Sequence, residues 1–207
     1  MSTRTTVLLT SPLAPDAGRL ALRQALERFG PVADPTWGLD PAAPDLLARP
    51  SALLRRALAD LTGPAVLCGV GGGVPVALRL AADSPAQVSG LVLATGRRPT
   101  GRVLVRSVHR AVADLLPLPA LQRLHADERA LLQVLDRVRA RDVRELAAGV
   151  AQPALVAWGR NDPVDRRSAQ GLVAALANGR LETVADAGPG WVWRTPDRLA
   201  ALVPALD

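Results

Sequence analysis

Residues 64–94 read PAVLCGVGGGVPVALRLAADSPAQVSGLVLA, and this stretch decides the fold. Residues 65–68 form an unbroken apolar run, the pattern of a strand buried on both faces. A glycine cluster follows at once: Gly69, Gly71, Gly72 and Gly73. Residues 74–82 then carry a helical pattern. Pro75 falls in its first turn, where a missing N–H costs no hydrogen bond. Residues 90–94 give a second strand. Strand, glycine turn, helix and strand make one unit of a parallel sheet.

The same rhythm extends in both directions. Residues 7–9 are expected as a strand and 17–29 as a helix stopped by Gly30 and Pro31. A weak strand is expected at 32–34, followed by a loop carrying Trp37 and a helix over 44–61 with a break at Pro50. Downstream, residues 154–158 and 180–184 read as strands, and 168–177 and 196–203 as helices. Residues 97–150 break the alternation with helical segments and no strand, and read as a helical cap inserted over one end of the sheet. The expected architecture is α/β. It has a mainly parallel sheet of about six strands, helices on both faces, and right-handed crossovers. Residues 1–96 and 151–207 form the two parts of one core.

The chain has 207 residues, 49% of them hydrophobic, enough for one domain with a real core. No apolar run approaches the roughly 20 residues of a membrane helix. The start reads as a strand rather than a signal peptide, so a cytoplasmic location is expected. The single cysteine, Cys68, excludes an internal disulfide, and no metal-ligand spacing is present. Net charge is +6 and every basic side chain is Arg. The arginines are spread along the chain, with no nucleic-acid-binding motif. With no Tyr and one Phe, base-stacking platforms are scarce, so nucleic acid is not an expected partner.

Three stretches together resemble the α/β-hydrolase superfamily. Residues 64–94 resemble its elbow region, in which a G-x-S-x-G turn lifts a nucleophile between strand and helix. Residues 153–164, PALVAWGRNDPV, resemble the strand and loop that deliver its acid. Residues 186–196, DAGPGWVWRTP, resemble its histidine loop. The resemblance implies that the chain enters the fold at the family's third strand, without the usual N-terminal hairpin. Position by position, Gly69 and Gly73 match the outer elbow glycines, and Asp162 matches the acid. Gly71 stands at the nucleophile position and Pro189 at the histidine position. Gly72 would supply one oxyanion donor. The second falls on Pro12, which has no N–H.

The resemblance therefore implies the fold but not an ordinary Ser-His-Asp hydrolase. The expected function is a non-hydrolytic, cofactor-independent enzyme acting on a small, partly apolar molecule, in a natural-product tailoring step. Cyclisation, isomerisation, elimination and acyl transfer are the candidate reactions. Two alternatives stay open: a non-catalytic binding or scaffold protein, and a transferase or hydrolase with a relocated nucleophile such as Cys68. The candidate catalytic residue is Asp162, as base. Thr10, Trp37, Gly71, Gly72, Trp191 and Trp193 are the candidate pocket residues, with core packing the plain alternative for the indoles. Arg98, Arg102, Arg106 and Arg110 recur every four residues, a basic stripe on a helix. It reads as a solvated face, or as a docking strip in which Arg102 and Arg106 contact an acidic carrier protein. A homodimer is the other partner considered, and no metal or organic cofactor is called for.

Overall fold

A computed structural model describes residues 4–11, 14–38, 45, 47–95 and 143–206. Six parallel strands form one sheet in the order β2-β1-β3-β4-β5-β6. They are β1 (Thr6–Leu9), β2 (Val32–Ala33), β3 (Ala65–Gly71), β4 (Val88–Thr95), β5 (Ala154–Gly159) and β6 (Gly179–Val184). From β1 the chain steps outward to β2, then returns to place β3 on the other side of β1. From β3 it winds steadily to β6. The direction reverses between β1 and β3, and in open parallel sheets ligands bind beyond the carboxyl ends of the strands at such a point.

The helices divide between two faces. Helix α1 (Asp16–Glu27) packs on one face with two short C-terminal helices, α6 (Trp191–Arg194) and α7 (Pro196–Ala200). Leu22, Ala25 and Leu26 of α1 meet Leu8, Val66, Cys68 and Val92 of the sheet in one core. Helices α2 (Ala48–Ala59), α3 (Gly73–Asp83), α4 (Val143–Ala148) and α5 (Pro163–Val173) cover the other face. Here Leu54, Leu58, Val76 and Leu80 join Val7, Leu9, Leu67, Leu91 and Val156. The split follows from strand alternation, since Leu8 points one way and its neighbours Val7 and Leu9 the other.

Helix α3 is buried almost all round, from Gly73 to Leu78 and again at Leu80 and Ala81. That explains its apolar sequence, which lacks the polar stripe of a surface helix. Arg19 of α1 grips Asp34 after β2 through Nε (3.0 Å) and Nη2 (2.7 Å), fixing α1 against the segment that follows β2.

Several boundaries differ from the sequence expectation. Helix α2 runs unbroken through Pro50, because that proline sits in the first turn, where no intrahelical donor is needed. Helix α5 starts at Pro163 and ends at Val173, several residues earlier at each end than the apolar spacing indicates. Pro163 is its first residue, the position at which proline favours a helix start. Helix α6, four residues long, was not expected, since one turn has no periodicity to read. The segment expected as an insertion is described only from residue 143, where α4 begins.

Candidate functional site

Segments at the carboxyl ends of β1, β2, β3, β5 and β6 carry the described residues among those singled out above. Strand β3 ends in a tight turn into α3. Gly71 occupies its apex in the left-handed region, φ 57°. A residue with a side chain is strained there, and glycine is not.

At three neighbouring glycines an added side chain would be crowded, prohibitively so at Gly73 and more mildly at Gly69 and Gly72. A Cβ on Gly73 would lie 1.9 Å from the Leu9 carbonyl oxygen, so only glycine lets α3 start this close to β1. A Cβ on Gly69 would meet Ala77 Cβ and Leu93 Cδ2, each at 3.1 Å, and one on Gly72 would lie 3.2 Å from Ser11 Cβ. Gly71 differs: among the described residues no atom lies within 4 Å of where its Cβ would be. The Gly72 N–H makes no backbone hydrogen bond among the described residues, and α3 begins immediately after it. Free N–H groups at a helix start are available to an acceptor.

The acid loop and the proline-bearing loop are joined backbone to backbone. Arg160 N–H donates to Val184 O (3.0 Å) and Asn161 N–H to Ala187 O (2.8 Å). Gly159 makes this possible, since a Cβ there would lie 2.4 Å from Ala187 O. The Asp162 N–H turns back onto Gly159 O at 2.9 Å. The Asp162 side chain is buried, 6% exposed, and is engaged rather than free. Asp186 (φ 56°) and Gly190 (φ 71°) give the neighbouring loop its two left-handed bends around the exposed Pro189. Apart from Asp and Asn, few residues with a side chain visit that region readily.

The other candidates take different places. Thr10 is buried at the end of β1, beside the elbow. Trp37 packs with Leu47, Leu54 and Leu58 in the core on the α2–α3 side. Trp191 packs into the core on the α1 side, and Trp193 lies over Gly18 of α1. The three indoles therefore do not converge on one pocket: Trp37 and Trp191 are buried in cores on opposite faces of the sheet, and Trp193 is half-buried against the second of these. Burial accounts for Trp37 and Trp191 without a ligand. Trp158 is in the core as expected. Its Nε1–H donates to Thr183 Oγ1 (3.0 Å), and the Arg166 guanidinium sits 5.8 Å from the ring centroid. Cys68 is fully buried within β3, and burial pushes its thiol up to about 12. A thiol so held is neutral at ordinary pH, which removes it as a relocated nucleophile.

Arg98, Arg102, Arg106, Arg110, His109, His125 and Pro12 lie outside the described residues. Among the described residues no three His, Cys, Asp or Glu side chains group as metal ligands, and no helix is long and apolar enough to cross a membrane. A groove of about 400 Å³ lined by Pro153, Ala154, Asn178, Gly179, Arg180 and Leu206 lies at the amino ends of β5 and β6, away from the elbow. Sequence reasoning passed over the steric roles of Gly73 and Gly159. The signal was a glycine at the end of a buried strand for Gly159 and at the start of the helix that follows one for Gly73, places where a backbone is approached closely.

No family model matches the sequence, and no curated protein matches it. Solved structures do. An enol-lactonase from Burkholderia xenovorans superposes with a TM-score of 0.71 at 20% identity, covering 100% of this chain and 92% of that one. NosK from Streptomyces actuosus gives 0.70 at 24% identity, with 99% and 97% covered. An esterase from Rhodococcus gives 0.66 at 18% identity, with 98% and 89% covered. At these identities the likeness establishes architecture, and with the strand order and the elbow it leads to one conclusion: this chain has the α/β-hydrolase fold.

Proposed function

We propose that the chain is a non-hydrolytic enzyme on this fold, acting on a small, partly apolar molecule in a biosynthetic tailoring step. The observation that carries this is Gly71. It holds the left-handed apex where a hydrolase of this architecture presents its nucleophile, and it has nothing to attack with. Pro189, in the loop joined to the acid loop, has no ring nitrogen to relay a proton. Asp162 stays, buried, at the end of the acid loop.

What remains can still do chemistry. The Gly72 N–H can hold a carbonyl oxygen as it gains negative charge, and one such donor is typically worth ~3 kcal/mol. A carboxylate at Asp162 can take a proton from a carbon or hydroxyl next to that carbonyl. The substrate then closes on itself, shifts a double bond, expels a leaving group, or passes an acyl group to a second bound substrate. Positioning in a shaped site supplies the rest of the rate.

The test is mass balance. The protein is incubated with small-molecule extract of its source cells, and products are followed by mass spectrometry, with Asp162→Asn as the control. The expected result is a product of unchanged mass, one short of a small leaving group, or one heavier by an acyl group drawn from another compound in the extract, that is lost in the variant. A product heavier by one water would contradict the proposal, and so would no change in any compound, which would favour a binding protein.

A further inference from the structure

We propose that two copies of this chain pair edge to edge through β6, continuing one sheet across a two-fold axis. Leu181 lies opposite the second copy's Leu181, and Arg180 lies opposite its Glu182. This inference is independent of what the elbow does.

Strand β6 closes one side of the sheet. Its backbone groups alternate between β5 and the outside. The carbonyls of Asn178 and Val184 accept from Ala154 and Arg160, so the even-numbered residues face β5. Gly179, Leu181 and Thr183 therefore aim both N–H and C=O outward. Such a row is a template for another strand. The opposite edge, β2, offers only Val32 and Ala33.

Side chains alternate too. Val184 lies in the core on the α1 side, and Leu181 packs half-buried against the core on the α5 side. Arg180 and Glu182 thus share the α1 face of the sheet, and both are exposed. Antiparallel pairing needs outward residues opposite outward residues, and centring it on Leu181 meets that need. Gly179 then faces the second copy's Thr183. Arg180 and the second copy's Glu182 form a non-hydrogen-bonded pair, in which Cα atoms approach to about 4.5 Å and side chains meet most closely. The two-fold axis repeats this ion pair. Sliding one hydrogen-bonding step either way sets Arg180 against Arg180 or Glu182 against Glu182, and like charges directly opposite repel. Charge therefore selects one register. On the other face, the two Leu181 side chains cover each other.

Charges on an edge strand can instead keep other strands away. A guard of that kind is served by one sign. Opposite signs two residues apart are complementary to themselves under a two-fold axis.

Sedimentation equilibrium over a concentration series tests the pairing, with thermal melts confirming that each variant is folded. The parent should show a monomer–dimer equilibrium. Glu182→Arg sets arginines against arginines, and Arg180→Glu sets glutamates against glutamates. Each should raise the dimer dissociation constant at least about tenfold. Mixing the two single variants should give a heterodimer, since each then meets its opposite charge. The double variant should pair with itself as the parent does, yet not with the parent. That comparison uses neither single variant, so it stands even where one of them unfolds. Hydrogen exchange locates the contact. The Leu181 and Thr183 amides should exchange more slowly in the parent than in Glu182→Arg at the same concentration, while the Arg180 amide, facing β5, exchanges alike in both. A parent that stays monomeric at every concentration would overturn the inference. So would a dimer indifferent to the charge changes, free pairing between parent and double variant, or Leu181 exchange equal in parent and Glu182→Arg.

Discussion

Replacing Gly73 by alanine tests the elbow as a piece of packing. The new Cβ would lie 1.9 Å from the Leu9 oxygen and 2.4 Å from the Leu9 carbonyl carbon. Both are backbone atoms of a strand paired with its neighbours on both sides, so no side chain can swing away. Reaching an ordinary contact requires α3 to withdraw from β1 by roughly 1.5 Å, in a core packed as tightly as a crystal. Helix α3 buries Val74, Val76, Leu78 and Leu80, and all of them move with it. Overpacking of this kind costs typically 1–3 kcal/mol and occasionally more, and the rigid partners put Gly73→Ala at about 3 kcal/mol or above. Gly71→Ala is the internal control. It meets no neighbour among the described residues and bears only the left-handed φ, about 1–2 kcal/mol. Urea unfolding measures both. At an m-value of about 2 kcal/mol/M, Gly73→Ala should lower the midpoint by roughly 1.5 M, about twice the shift of Gly71→Ala or more. A Gly73→Ala midpoint within about 0.3 M of the parent, or a larger loss at Gly71, would refute the steric assignment of the elbow glycines.

Other outcomes follow from the same contacts. Gly159→Ala drives a Cβ to within 2.4 Å of Ala187 O and should break the Asn161–Ala187 hydrogen bond, costing about 2 kcal/mol or more in thermal or urea unfolding. Arg19→Met removes the two-pronged hold on Asp34 at a partly buried site and should cost about 1 kcal/mol, read as a lower melting temperature. Cys68 makes stability fall at alkaline pH. Its thiol ionises near 9.0 when unfolded and near 12 when buried, so between these values the native state holds the extra proton. Stability should drop above pH 9 by up to about 1.4 kcal/mol per pH unit, and unfolding of Cys68→Ala should lack that slope. Introducing Gly71→Ser with Pro189→His should raise hydrolysis of p-nitrophenyl acetate at least about tenfold over either single change, because nucleophile and base act as a unit. Equal rates for the double and single variants would show that Pro189 does not hold the histidine position.

Much of this architecture was legible because the strands are short, apolar and bounded by glycine and proline. The run from Ala65 into the glycine cluster could only be a buried strand entering a tight turn, and the φ of Gly71 shows the turn where the spacing placed it. The limits of α5 were not legible, because Pro163 in that acid loop signals either a turn or a helix start. The tryptophans mark the clearest gap between sequence and site. Composition singles out three indoles in loops, but a loop indole can turn inward as readily as toward a ligand. Trp37 and Trp191 turn inward, on opposite sides of the sheet. Gly73 and Gly159 were legible only by position, since their importance lies in which backbone comes close, a property of the folded sheet.

The account stands most directly on the absence of an attacking group at the elbow. The decisive measurement is intact-protein mass spectrometry after exposure to p-nitrophenyl acetate and to a fluorophosphonate, with released nitrophenol followed in parallel. The chain should keep its mass with both reagents, and nitrophenol should appear at the rate of buffer alone. A stoichiometric acyl or phosphonyl adduct on any side chain, with nitrophenol released above background, would contradict it.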